Sequence, residues 1–255
     1  MTRFTSLSKN RVLRFLLPPV FWLGVWQFAA MSVGKEILLP SPLSVFTTLK
    51  ALVVTPVFWR TSLLSLVRIF AGFWCGAIAG TLVAVATFAV PLADNILSPA
   101  VRVIRATPVV SFIILVLLWI GSGLVPGVIS ALMVLPVLWE AVRGGLIGTD
   151  PLLLEMARAY RFGSFKTARL IYYPSVRPSF NVGCRTGLGL AWKAGVAAEV
   201  LCQPELAIGS RVYYSKITLD SPALFAWTLV VILLSFLLEG VISVLFRRLD
   251  GRAHL

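Results

Sequence analysis

Two basic residues stand in an otherwise apolar segment of this 255-residue chain and are its clearest candidates for chemistry. Arg185 and Lys193 fall on one side of a helix, centred at about 240° when Gly183 is set to zero and each residue adds about 100°. A cation in apolar surroundings needs an acid partner, water or a passing solute. One interpretation is that this helix lines a polar path, with Lys193 near its middle attracting an anionic solute.

A structural role for the same two residues is the alternative. Lys193 can pair with an acid such as Glu140 or Glu239, and Arg185 can extend its charged end to the lipid headgroups at the cytoplasmic surface. Ionisable groups inside a membrane form pairs more often than they carry solutes. The residue pattern leaves both interpretations open.

Other reactive groups are scarce. The single histidine, His254, argues against a histidine-based metal site, and Cys75, Cys184 and Cys202 lie in apolar runs as small buried hydrophobic residues. No G-x-x-x-x-G-K-[ST] sequence is present, so the chain has no P-loop for ATP phosphates. We therefore expect no catalytic residues, no metal site and no cofactor bound by this chain.

The composition places the elements that carry these residues in a membrane. Hydrophobic residues make up 58% of the chain and charged residues only 13%, whereas soluble domains average about a quarter charged residues. The basic residues cluster at the ends of apolar runs, so the net charge of +13 indicates membrane orientation and not nucleic-acid binding. We expect one all-α integral membrane domain over residues 1–255.

Six apolar segments approach the roughly 20 residues that a helix needs to cross the hydrocarbon layer. The uncharged run 106–139 is too long for one crossing, and we divide it at Gly121–Gly123 and Pro126–Gly127. A short surface helix is expected near residues 42–52. The predicted spans are 15–33, 63–90, 100–120, 124–142, 180–202 and 222–246.

The distribution of Lys and Arg predicts the orientation of these spans. With the N-terminus in the cytoplasm, most basic residues lie inside, including Arg3, Lys9 and Arg252 near the termini. The positive-inside rule requires this asymmetry, so both termini are predicted to be cytoplasmic. The basic residues outside are Lys35, Lys50, Arg60, Arg211 and Lys216.

Two rows of small residues predict where spans approach each other. Small residues recur at every fourth position in the second and fifth spans, a spacing that permits close helix packing. In the fifth span the small side is centred near 60°, opposite the basic side. The rows are Gly72, Gly76 and Gly80, and Gly183, Gly187, Ala191 and Gly195.

The loop of residues 149–175 carries charges of both signs on helix-forming sequence. Asp150 is predicted to cap a first helix and Gly163 to stop it. Ser164 then caps a second helix, which Pro174 ends. The pattern allows either a compact unit that touches a cytoplasmic partner or a helix pair lying in the lipid headgroups.

This loop resembles the EAA motif of the permease subunits of ABC importers. The motif reads E-A-A, three residues, G, nine residues, then I-x-L-P. Residues 155–157 (EMA) match its start and residues 171–174 (IYYP) match its end at the expected spacing. Its glycine position falls on Arg161, and a glycine occurs two residues later, at Gly163.

The resemblance extends over most of the chain. Four further segments are similar to the nitrate, sulfonate and taurine permease group. These segments are LPSP at 39–42, FWRTSLLSLVRIFAGF from Phe58, SPAVRVIRATPVVSFIILVLLWIGSG from Ser98 and AWKAGVAAEV from Ala191.

The resemblance implies a type I ABC importer permease fold, with six transmembrane helices and a cytoplasmic two-helix loop whose first helix docks on an ATPase. It implies passage of a small anionic solute such as nitrate, a sulfonate or taurine. It also implies two ATPase subunits that use ATP and Mg, a second permease copy forming a homodimer, and an extracytoplasmic substrate-binding protein at the bacterial inner membrane. The residues that it assigns to ATPase coupling are Glu155, Ala157, Arg158, Arg161, Gly163, Ile171 and Pro174.

An ATP-independent transporter or channel is the alternative from another class. Such proteins place acids or half-helices near the middle of the membrane for ion coupling. Here Glu140, Glu199 and Glu239 all fall near the ends of predicted spans. The position of the acids therefore favours the ATP-driven importer.

Overall fold

The computed structural model describes residues 11–251, with side chains described for residues 17–244, and this part of the chain is helical with no strand. The predicted all-α class is confirmed. Arg3, Lys9, Arg252 and His254 lie outside the described residues. The helices are α1 (Arg11–Val33), α2 (Pro42–Val53), α3 (Pro56–Ala89), α4 (Pro91–Ala106), α5 (Val109–Leu117), α6 (Val125–Ile147), α7 (Pro151–Ala159), α8 (Ser164–Thr167), a π-helical turn (Ala168–Tyr172), α9 (Tyr173–Cys202), α10 (Ile208–Ile217) and α11 (Ser221–Gly251).

The described residues form two compact units. The first contains the residues up to Trp59 together with Arg211–Val230, and the second contains Arg60–Ser210 and the residues from Val231 onward. In the first unit, the rings of Phe58 and Trp227 stack with centroids 5.3 Å apart. The predicted surface helix is present there as α2.

Three helices of the described chain are long and apolar enough to cross a membrane: α3, α6 and the Ser221–Val244 part of α11. The bent pair of α4 and α5 is a fourth candidate. The apolar part of α1, Leu17–Val33, is shorter, and α9 carries several charged residues. The count of six spans and their bounds therefore stay a prediction.

The predicted span 100–120 is not one straight helix. Helices α4 and α5 meet at an angle of 103° on either side of Thr107 and Pro108. Because proline disfavours the helical conformation in the residue before it, Thr107 is extended, with φ −77° and ψ 131°. The sequence prediction divided the apolar run only from Gly121 onward and missed this break.

Helix α6 lies at the centre of the second unit because both rows of small residues face it. A Cβ atom added to Gly76 would lie 2.4 Å from the Ala131 carbonyl oxygen, and one added to Gly183 would lie 2.8 Å from Ala141 Cβ. These separations are too short for any side chain, so the helices approach only where a hydrogen replaces Cβ. The other row members that face α6 are Gly72, Gly80, Gly187 and Gly195.

Buried apolar side chains fill the spaces on either side of these contacts. One cluster joins α5, α6 and α9 through Ile113, Val116, Val125, Ile129, Ala194 and Ala198. A second joins α3, α4 and α6 through Ala84, Val101, Trp139, Val142 and Leu146. The first cluster and the row from Gly183 to Gly195 fix the rotation of α9 about its axis.

The glycine contact predicts a stability difference between two identical substitutions. Gly76→Ala is expected to destabilise the permease by about 1–3 kcal/mol, because the new methyl group overlaps the α6 backbone. Gly240→Ala is the control, since Gly240 is also helical but nothing lies within 4 Å of its added Cβ. That change is expected to be neutral or stabilising by up to about 1 kcal/mol. Thermal unfolding in detergent measures both, and equal midpoints would contradict the packing described.

Candidate functional site: the charged loop and the basic side of α9

The first loop helix, α7, begins as the sequence predicts. The Leu152 amide donates a hydrogen bond to Asp150 Oδ1 at 2.9 Å, and a proline occupies the first turn. The side chain thus satisfies a backbone amide that has no partner within the helix. The predicted N-cap is confirmed.

The end of α7 differs from the prediction. Arg161 has the left-handed φ of 51°, the Phe162 amide donates to the Ala157 carbonyl at 2.8 Å, and the Arg161 amide donates to the Arg158 carbonyl at 3.0 Å. These two bonds form the Schellman arrangement that closes a helix. Gly163 is extended, with φ −67° and ψ 158°, so the prediction that Gly163 stops α7 is wrong. Arg161 takes the conformation expected of the motif's glycine, because the two bonds hold it there.

The second loop helix is not a separate element. Ser164 is the first residue of α8 and not its cap, and α8 runs through the π-helical turn into α9. Pro174 lies in the first turn of α9, directly after the π-helical turn. A wider turn accommodates a residue that lacks an amide hydrogen. The predicted end at Pro174 is therefore wrong, and residues 164–202 lead from the loop into α9 without a linker.

The seven residues assigned to coupling divide by their exposure. Ala157 and Ile171 are each only 3% exposed and support the loop from within. The others lie on the surface, and they are Glu155, Arg158, Arg161, Gly163 and Pro174.

An apolar stripe on α7 lies beside the charged coupling residues. Leu152, Met156 and Tyr160 follow one another at every fourth position, and they are 70%, 42% and 74% exposed. Residues at this spacing share one side of a helix. A contiguous exposed apolar surface rimmed by charges marks a contact site on a protein or a membrane.

The basic side of α9 lies opposite its buried row of small residues. Arg185 and Lys193 are exposed in the single chain. A cavity of about 800 Å³ lies between α4, α6 and α9, and α9 contributes to it Pro178, Ser179, Val182, Gly183, Thr186 and Leu190. These six residues are centred near 300° around the helix. Lys193, at about 280°, lies on the same side of α9, about one turn beyond the last lining residue, Leu190, and does not itself line the cavity. Arg185, at about 200°, lies at the edge of that side.

Neither acid that the sequence suggests as a partner of Lys193 is bonded to it among the described residues. Glu140 Oε2 contacts Arg105 Nη1 at 2.6 Å on the cavity wall. Glu239 Oε1 lies 3.8 Å from the position of a Cβ on Gly189, one helical turn before Lys193. Among the described residues, neither acid forms an ion pair with Lys193.

Sequence analysis missed two ion pairs that join α4 to α6. Arg105 pairs with Glu140, and Arg143 Nη2 lies 2.9 Å from Asp94 Oδ2. Asp94 lies near the start of α4 and Arg105 near its end, and both of their partners lie near the end of α6. Opposite charges near the facing ends of consecutive predicted spans were the signal that could have revealed them.

The left-handed Arg161 predicts opposite effects for two arginine-to-glycine changes. Arg161→Gly is expected to stabilise the permease by about 1 kcal/mol, because glycine adopts this conformation without the steric cost of a Cβ. Arg158→Gly, within α7, is the control and is expected to destabilise by up to about 1 kcal/mol. Thermal unfolding in detergent compares them. Destabilisation by both would contradict the observed turn.

Comparison with known proteins finds importer permeases that match most of the chain. The taurine transport system permease protein TauC of Escherichia coli is 25% identical over 88% of this chain and 83% of its own length. The bicarbonate transport system permease protein CmpB of Synechocystis is 30% identical over 78% of this chain and 76% of its own length.

The fold is also found in a solved structure. One chain of an amino acid ABC transporter matches with a TM-score of 0.61 at 17% identity, over 80% of this chain and 97% of that chain. A family model described as binding-protein-dependent transport system inner membrane component matches residues 72–251, which is more than half of the chain. The chain therefore belongs to this family, the permease subunits of ABC importers.

Proposed function

We propose that the chain and a second copy of itself form the membrane path of an importer for a small oxyanion-bearing solute. The observation that carries the proposal is the exposed stripe of Leu152, Met156 and Tyr160 beside Glu155 and Arg158. An apolar helix side rimmed by charges suits a groove on another protein. We assign that groove to a separate ATPase subunit that binds ATP and Mg. Such a subunit is needed because the sequence of this chain contains no P-loop.

The structure of the loop supports its role as a lever. Ala157 on α7 and Ile171 in the π-helical turn are both buried, and the helical run 164–202 continues from the loop into α9. Packed helices move as rigid bodies. Closure of the ATPase on ATP would therefore displace α9 and open the path alternately to the two sides of the membrane.

The proposed assembly contains two permease copies, two ATPase subunits and one extracytoplasmic binding protein that delivers the solute. Twofold homodimers are the commonest symmetric oligomers, which supports pairing with an identical copy. The excess of basic residues on one side of the predicted spans supports cytoplasmic termini and a cytoplasmic loop at the bacterial inner membrane.

We assign the solute path to the cavity side of α9. Lys193 lies close to the centre of that side, and among the described residues it has no acid partner. An unpaired cation in apolar surroundings attracts an anion. Two relatives are named for taurine, which carries a sulfonate, and for bicarbonate. Their shared oxyanion group is the solute class that we propose.

Shortening a side chain in the stripe or in the charged residues beside it is expected to weaken contact with the ATPase. Tyr160→Ala and Glu155→Ala should each lower the amount of ATPase that co-purifies with the permease, and the tyrosine change should do so by about tenfold in affinity, as for a central interface residue. Solute-stimulated ATP hydrolysis in the purified complex should fall with it. Glu36→Ala is the control, because Glu36 is also exposed but lies on the side predicted to be extracytoplasmic.

Wild-type co-purification and uptake by both loop variants would contradict the coupling assignment. Binding of the loop to vesicles of anionic lipid, with no loss of ATPase from either variant, would support the headgroup interpretation in its place.

Removing the cation of α9 is expected to impair transport more than folding. Lys193→Met should reduce uptake of taurine or bicarbonate into proteoliposomes at least about tenfold, the effect of losing a charged contact of 1.5–3 kcal/mol. Lys193→Arg keeps the charge and should retain most of the uptake. Equal uptake by the methionine variant and the wild type would overturn the path assignment.

A further inference from the structure

A buried carboxylate lies at the end of α9 that is remote from the loop. Glu199 has no exposed surface, and its Oε2 accepts hydrogen bonds from Ser65 Oγ at 2.9 Å and from the Gly209 amide at 3.1 Å. Ser65 Oγ accepts a further bond from the Ile208 amide at 2.9 Å. These four groups, which we name the Glu199 cluster, join α3, α9 and the start of α10.

The Glu199 cluster caps α10 with side chains from distant parts of the chain. The first amides of a helix have no partner within it, and a carboxylate is favoured at that end by the helix dipole. Gly209 is required at this contact because an added Cβ would lie 2.5 Å from Glu199 Cβ and 2.6 Å from the Val200 amide nitrogen. The cluster therefore fixes the position of the α10 start relative to α9.

The connection between α9 and α10 is also held tightly. Gln203 and Leu206 have left-handed φ values of 47° and 49°, which residues other than glycine keep only where their surroundings impose them. The Arg68 guanidinium donates to the carbonyl oxygens of Glu205 and Leu206 at 3.1 and 3.4 Å. The segment 203–209 is therefore held to the end of α9 through Glu199 and to α3 through Ser65 and Arg68.

Stability alone does not explain a carboxylate in this position. Glu199 Oε1 is buried without a hydrogen-bond partner among the described residues, and removing a carboxylate from water is unfavourable. Apolar side chains of similar volume often serve as well or better in such positions. The geometry that Glu199 imposes on segment 203–209 is the better reason for its presence.

We propose that Glu199 is a positioning residue that transmits movement between the ATPase and the binding protein. The inference rests on the proposed function, in which the loop is cytoplasmic and segment 203–209 is extracytoplasmic. The 30 residues of α9 span about 45 Å between them. A shift of α9 at the loop therefore displaces segment 203–209. Coupling between two sites is reciprocal, so contact of the binding protein with the extracytoplasmic side displaces the loop in turn.

The test measures the rate of ATP hydrolysis by the complete complex in lipid nanodiscs, first alone and then with the binding protein added. The binding protein is purified from cells and still carries its endogenous solute. Ser65→Ala removes the hydroxyl that bridges Glu199 and α10. Ser62→Ala is the matched control, because Ser62 is buried on the same helix but its hydroxyl has no partner in the described structure. Glu199→Gln preserves shape and removes the charge.

We expect Ser65→Ala and Glu199→Gln to retain the basal rate and to lower the stimulation by the binding protein about tenfold, as for the loss of a hydrogen bond to a charged group. Ser62→Ala should keep full stimulation. Equal stimulation in Ser65→Ala and Ser62→Ala would overturn the inference, as would a parallel fall of basal and stimulated rates with the unfolding midpoint. Absence of stimulation in the wild type would instead overturn the proposed function and, with it, this inference.

Discussion

The packing of α6 between two rows of small residues is the constraint on which the second unit depends. Lipid tails are as apolar as leucine, so helices in a membrane associate through close contact and not through the hydrophobic effect. Gly76 and Gly183 let α3 and α9 approach α6 from two sides. Because the small side of α9 must face α6, its basic side faces away from α6, and Lys193 is exposed in the single chain.

Two groups of charged residues in the described part of the chain bear on its function. Arg105 with Glu140, and Arg143 with Asp94, are paired between α4 and α6, and the buried Glu199 is held by hydrogen bonds. These groups serve the internal structure. Lys193 and the surface charges of α7 are not engaged in this way among the described residues, which supports the contacts with a solute and an ATPase proposed for them.

The sequence predicted the regular helical spacings and one cap, and it missed two local breaks and the contacts between distant residues. The every-fourth-residue rows and the Asp150 cap were readable because each is defined within a few turns of helix. The turn at Arg161 was missed because glycine is the usual residue for the left-handed conformation. The helix end was therefore predicted at the nearby Gly163. Glu199 and Ser65 are 134 residues apart, so no local sequence pattern predicts their contact.

The central claim is that α7 docks on the ATPase through its apolar stripe. Crosslinking from a photoreactive phenylalanine analogue in place of Tyr160, in membranes that contain the whole complex, tests it most directly. The same analogue at Leu219, which is 67% exposed and lies on the side predicted to be extracytoplasmic, is the control. The account predicts a crosslink to the ATPase from position 160 and none from position 219. Crosslinks from position 160 to lipid alone would contradict it.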